Sequence, residues 1–182
     1  MVPLDELNFD EAVADHGHMH VPCPYLFIHQ ALKLIGENVQ GVTFVDYGCG
    51  LGRVLFFATR FPFRKIIGVE ASPDLSQEAS KNLDKFFKAK RISKPEWKII
   101  QGNATEFVVP DDASVFFFND PFDETVMTPV VAKICRSQEK TPRNVYVVYV
   151  NPGHPDIFRD QGFTLVERTV NRHNKGFILY KR

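Results

Sequence analysis

The sequence lacks an excess of either charge: its 182 residues carry 22 Lys plus Arg against 22 Asp plus Glu. No global field therefore draws the surface to nucleic acid or to an anionic membrane. No apolar run reaches the roughly 20 residues that span a bilayer. Met1-Val2-Pro3-Leu4-Asp5-Glu6 has neither the basic nor the apolar region of a signal peptide, so the expected location is cytoplasmic. Cysteine is scarce. Cys23, Cys49 and Cys135 are odd in number and scattered, which argues against a disulfide framework and a clustered zinc site. Repeats, low-complexity tracts and linkers are missing too, and the length suits one well-buried core rather than two. The expected organisation is a polar N-terminal arm over 1–23 and a single domain over 24–182.

What the chain does have is a glycine turn in a telling place. Val42-Thr43-Phe44-Val45 is a β-branched and aromatic run that ends on Asp46, passes through Gly48, Gly50 and Gly52, and resumes as the apolar Val54-Leu55-Phe56. This reads as strand, tight turn, and a helix from near Leu51. Alternate glycines allow positive φ and bring a ligand against bare main chain. A helix start aims unpaired N–H groups and the positive end of its dipole at the same spot, which favours a carboxylate or phosphate. Asp46 adds a negative acceptor there, so a ligand with both an anion and an ammonium group suits the mouth. Cys49, inside the turn, need only be small.

Strands and helices then alternate. Tyr25, Ile28, Leu32 and Ile35 fall on one helical face before the first strand, and Gly36 stops that helix. Lys65 to Glu70 is a second strand; Ser72 as N-cap and Pro73 at the first position start a helix carrying Leu75, Ala79, Leu83 and Phe86. Further strands are expected at Trp97–Gln101, Ala113–Asn119 and Asn144–Val150, with a covering helix within 123–136 that contains Pro129. Gly162–Val170 and Gly176–Tyr180 read as a closing hairpin. The expected class is α/β: a doubly wound, mostly parallel seven-stranded sheet with an antiparallel C-terminal hairpin and helices on both faces.

In such sheets ligands lie beyond the carboxyl ends of the strands at the switch point, where Glu70 closes strand two. A carboxylate there can accept both hydroxyls of a ribose. A dinucleotide fingerprint spaces its glycines G-x-G-x-x-G, whereas Gly48-x-Gly50-x-Gly52 is tighter. Asp46-Tyr47-Gly48-Cys49-Gly50-Leu51-Gly52 resembles the D-x-G-x-G-x-G first motif of class I S-adenosylmethionine (SAM) dependent methyltransferases. The resemblance extends over roughly residues 24–182. It implies SAM as cofactor, held by Asp46, Gly48, Cys49, Gly50 and Gly52, with Glu70 on the ribose and Asn103 and Ala104 beside the adenine. Asn119-Asp120-Pro121-Phe122 follows the fourth strand and resembles the (Asn/Asp)-Pro-Pro-(Tyr/Phe) of amino-methylating members at Asn119, Pro121 and Phe122, departing at Asp120. A second alignment sets Asp120-Pro121-Phe122 against shorter Asn-Pro-Phe-like versions. By resemblance these four are the catalytic set, Asn119 also touching the cofactor: Asn119 or Asp120 would accept amine N–H bonds and Phe122 would wall the acceptor.

The expected activity is methyl transfer to a small molecule or a protein side-chain amine, with a nucleic-acid amine as a less favoured acceptor and no membrane partner. The rivals are a nicotinamide-dependent oxidoreductase and a non-catalytic SAM-fold partner module. His16, His18 and His20 alternate in the arm, but no Cys or carboxylate set completes a metal site, and none is expected; the arm would rather close over the ligand near Tyr25. The basic stretch from Lys81 to Lys98 reads as the solvated face of a helix, and Arg53 as a helix-surface residue within reach of a ligand carboxylate. Nothing in the residues fixes an oligomeric state.

Overall fold

The computed structural model describes residues 23–89 and 95–182, so the His16, His18 and His20 arm and part of the basic stretch lie outside the described residues. Helix α1 (Tyr25–Ile35) buries Ile28, Ala31, Leu32 and Ile35, and Gly36 ends it at φ 63°, followed by a single 3₁₀ turn to Val39. Then come β1 (Thr43–Tyr47), α2 (Arg53–Ala58), β2 (Lys65–Glu70), α3 (Pro73–Ala89), β3 (Glu96–Gln101), β4 (Ala113–Phe118), α4 (Glu124–Lys140), β5 (Tyr146–Val150), α5 (Asp156–Asp160), β6 (Thr164–Arg168) and β7 (Phe177–Lys181).

The strands form one seven-stranded sheet in the order β3-β2-β1-β4-β5-β7-β6. The first five are parallel, and β7 runs antiparallel to both β5 and β6. The closing hairpin therefore folds its second strand inward, and the edge on that side is β6. β1, β4 and β5 are buried along their whole length, as strands covered on both faces must be. Alternate residues feed opposite faces: Phe116 and Phe118 join Met127, Val130 and Ile134 of α4, while Val115 and Phe117 join the cluster that holds Ile28, Leu32, Leu55 and Leu83.

Two expectations need correction. α2 begins at Arg53 rather than near Leu51 and is only six residues long, because Gly52 is left-handed (φ 81°) and serves as its N-cap. On α3 the fourth buried stripe position is Phe87 rather than Phe86, although the cap is as read: the Leu75 N–H donates to Ser72 Oγ at 3.3 Å. α4 extends to Lys140 with Pro129 inside it; Asp123 caps it by accepting from the Val126 N–H at 3.2 Å. The chain order reverses between β1 and β4, so the carboxyl end of β1 is the switch point.

Candidate active site

The glycine turn leaves β1 with Gly48, Gly50 and Gly52 at φ 71°, 51° and 81°. At Gly48 the missing side chain is also demanded by a neighbour: a Cβ there would lie 2.6 Å from Pro121 Cβ, whereas at Gly52 the nearest atom would be an ordinary 3.5 Å away. The turn after β1 and the turn after β4 are thus in direct contact. The N–H groups that the spacing aims at a ligand are largely spent inside the fold. Gly48 and Cys49 donate to Val69 O at 2.9 and 3.1 Å, Gly50 donates to Glu70 Oε2 at 2.8 Å, and Gly52 donates to Cys49 O at 2.9 Å. Arg53, the first residue of the short α2, brings a full positive charge to this end, its guanidinium stacked over the Tyr25 ring at 4.4 Å.

Glu70 is 7% exposed, and its second oxygen accepts from the Ser72 N–H at 3.0 Å. It staples the glycine turn to β2 as well as facing the switch point. A carboxylate has about four acceptor sites, so these main-chain donors do not exhaust it. Burial pushes its carboxyl up, and the main-chain donors at Ser72 and Gly50 pull part of that shift back. Asp46, at the adjoining strand end, is 2% exposed, and its Oδ2 has no hydrogen-bond partner. Burial first and the Glu70 charge second hold its carboxyl well above the usual range.

Neither nearby cysteine is held as a thiolate. Burial and Asp46 push the Cys23 thiol up to about 12 against the pull of Arg53. Burial raises Cys49 far up as well, and its Sγ packs where a Cβ on Gly68 would come within 2.6 Å. The Gly102 N–H donates to Glu70 O at 2.9 Å, which brings the end of β3 to the same mouth. Asn103 Oδ1 accepts from the Thr105 N–H at 2.9 Å and from Thr105 Oγ1 at 2.8 Å, so its carbonyl closes the loop and its NH₂ is the group left to offer a base. Ala104 packs into the core, leaving its main chain for that purpose.

At the end of β4 the four expected acceptor residues divide. Asn119 Oδ1 accepts from Asn151 Nδ2 at 3.1 Å. Asp120 has φ 45° and turns Oδ1 to the Tyr149 hydroxyl (2.6 Å) and the Gly153 N–H (3.0 Å), so that oxygen ties β4 to β5. Phe122 is 9% exposed and sits in the core beneath α4. Little of the side chain expected to wall the acceptor therefore reaches the surface. Tyr149, Asn151 and Gly153 belong to this mouth and escaped the sequence reading. Asn151-Pro152 at the end of β5 repeats the polar-residue-then-proline pattern of Asp120-Pro121 at the end of β4, and that repeat is the signal that would have found them.

No protein-family model and no curated protein sequence matches the chain. Among solved structures, a precorrin-6y C5,15-methyltransferase from Geobacter metallireducens superposes with a TM-score of 0.64 at 15% identity, over 98% of this chain and 93% of that one. The chain has the class I methyltransferase fold. A putative RNA methyltransferase from Pyrococcus horikoshii gives 0.58 at 18% identity, over 98% and 92%. The magnesium protoporphyrin IX methyltransferase of Synechocystis, solved with SAM bound, gives 0.57 at 14%, over 86% and 77%. Class I folds thus serve relatives named for quite different acceptors. The fold by itself does not select among them. Among the described residues no helix is long and apolar enough to cross a membrane.

Proposed function

We propose that the chain is a SAM-dependent methyltransferase (EC 2.1.1.-) whose acceptor is an amine of a small molecule or a protein. The observation that carries this is the pair of buried carboxylates at the ends of β1 and β2, one of them with an orphan oxygen. An unpaired buried acceptor costs about 1–3 kcal/mol, so Asp46 Oδ2 is suited to a ligand donor, and an ammonium group answers it best. Glu70, already oriented by main-chain donors, suits vicinal hydroxyls. The residues therefore fit SAM, with Asp46 and Arg53 at its amino-acid end, Glu70 at the ribose, and Asn103 and the Ala104 main chain at the adenine.

When bound, SAM supplies a methyl group already activated on a sulfonium, so the chain is left to position and to exclude water. The Gly48–Pro121 contact sets the acceptor turn directly beside the cofactor turn. Asn119 orients the acceptor by taking an N–H, which leaves a nitrogen lone pair to face the methyl. Phe118, fully buried and stacked on Tyr47 at 5.0 Å, packs the core directly before this turn.

Calorimetry on one sample with S-adenosylhomocysteine and with NADH tests the reading. The homocysteine compound binds more tightly, and Glu70→Ala, folded by circular dichroism, loses roughly tenfold or more of that affinity, the worth of a charge-assisted hydrogen bond. Tighter NADH binding would favour the oxidoreductase, and binding that ignores Glu70→Ala the non-catalytic module.

A further inference from the structure

β4 and β5 are neighbours in the sheet, with Phe118 opposite Tyr149, and both leave it in the same unusual way. Asp120 and Asn151 stand at φ 45° and 49°, and each is followed at once by a proline. Non-glycine residues held there cost on the order of 1–3 kcal/mol each and persist only where the surroundings enforce them. The enforcement is visible. Asp120 Oδ1 binds Tyr149 Oη and the Gly153 N–H, Tyr149 Oη accepts from the Gly153 and His154 N–H groups at 3.2 Å each, and the Asn151 N–H donates to Gly176 O at 2.9 Å. A side chain on Gly153 would press within 2.9 Å of Asp120 Oδ1, so even that glycine is fixed by the arrangement.

What the arrangement holds is a pair of carboxamides. Asn151 Nδ2 donates to Asn119 Oδ1, while Asn151 Oδ1 is buried and has no partner. Apart from Asp46 Oδ2, it is the one buried side-chain polar atom without a partner among the described residues. The first orphan lies on the cofactor side; the second lies one hydrogen bond from the residue assigned to the acceptor.

We propose that Asn151 is a second acceptor-binding residue: its Oδ1 receives an N–H of the nitrogen to be methylated while its Nδ2 holds Asn119 in register. This rests on the methyl-transfer reading above and narrows it. A carboxamide oxygen accepts a hydrogen bond but takes no proton at neutral pH, so the pair serves a nucleophile that needs no base. A neutral N–H-bearing nitrogen qualifies; a hydroxyl does not. In the step itself the nitrogen lone pair forms the N–C bond as the donor's S–C bond breaks with its electrons left on sulfur. The surplus proton on the product nitrogen then leaves to water.

The test uses the full chain, methyl-labelled SAM, and the small-molecule and protein fractions of a cell lysate. Asn151→Gly deletes the carboxamide at a backbone angle glycine prefers, so the variant keeps its fold. It is expected to bind S-adenosylhomocysteine within about twofold of wild type while transferring methyl about tenfold more slowly, the loss of one hydrogen bond. Asn151→Asp, which tolerates the same angle and keeps an acceptor oxygen, recovers part of the rate. The label sits on nitrogen. Wild-type rates in Asn151→Gly, a label on oxygen, sulfur or carbon, or cofactor binding with no label at all would each overturn the assignment. A wild-type protein that fails to bind S-adenosylhomocysteine removes the transferase reading itself, a separate outcome.

Discussion

Asp46 is a residue whose cost and use are opposed. Its carboxyl is buried, faces Glu70, and has one oxygen without a donor, so its folded-state proton affinity is raised above the unfolded one. A raised carboxyl contributes stability that is fully present below the unfolded value near 4 and is lost as pH rises through the folded one. Glu70 is raised in the same direction, so the contribution of these two groups to the stability of the ligand-free protein falls from mildly acidic pH toward neutrality. Asp46→Asn is expected to stabilise the ligand-free chain at pH 7, by on the order of 1 kcal/mol, and to flatten its melting-temperature profile between pH 4 and 7. Thermal melts across that range check it; an unchanged profile would show that Asp46 carries no penalty. That Asp46 and Glu70 meet was legible in the sequence, because both close a strand and parallel strands end on one side. That one oxygen would lack a donor was not, because partners depend on the path of the turn in three dimensions. The same gap explains the turn's N–H groups: the spacing places them, but only the fold shows them spent on Val69 and Glu70.

Among the elements, the strands and the long helices formed where they were read, and the short helices did not. β2 runs from Lys65 to Glu70 and α3 starts at Pro73, where an apolar run and a Ser-Pro cap each speak for themselves. α2 shrank to six residues and α5, five residues long, went unread, since one turn of helix carries no period to detect. The β4 and β5 turns act as one element. Tyr149→Phe would leave the Gly153 and His154 N–H groups and Asp120 Oδ1 each without one partner, at a cost of about 1–3 kcal/mol. If the proposed acceptor site is right, the expected result is a lower melting temperature and a loss of methyl transfer that exceeds any change in S-adenosylhomocysteine affinity, because the hydroxyl braces the turns after β4 and β5. Equal losses in both would show that the two turns move as part of the cofactor crevice.

Across the whole molecule, sheet order and charge combine. The reversal between β1 and β4 leaves a crevice whose floor holds two carboxylates and whose rim holds Arg53 above Tyr25. A ligand ammonium group entering it favours the ionised form of Asp46 over the neutral form that burial and Glu70 favour in its absence. Binding therefore expels a proton wherever the ligand-free carboxyl is still protonated. By linkage, affinity for S-adenosylhomocysteine then rises with pH through the raised value of Asp46 and levels off above it. Calorimetric titrations in two buffers of different ionisation enthalpy measure that proton directly. Release is expected in wild type below the plateau and less of it in Asp46→Asn, where only Glu70 is left to ionise and whose affinity is weaker. Proton uptake in place of release would mean that the ligand meets Asp46 through an acceptor, and the ammonium end of the cofactor would have to be placed elsewhere.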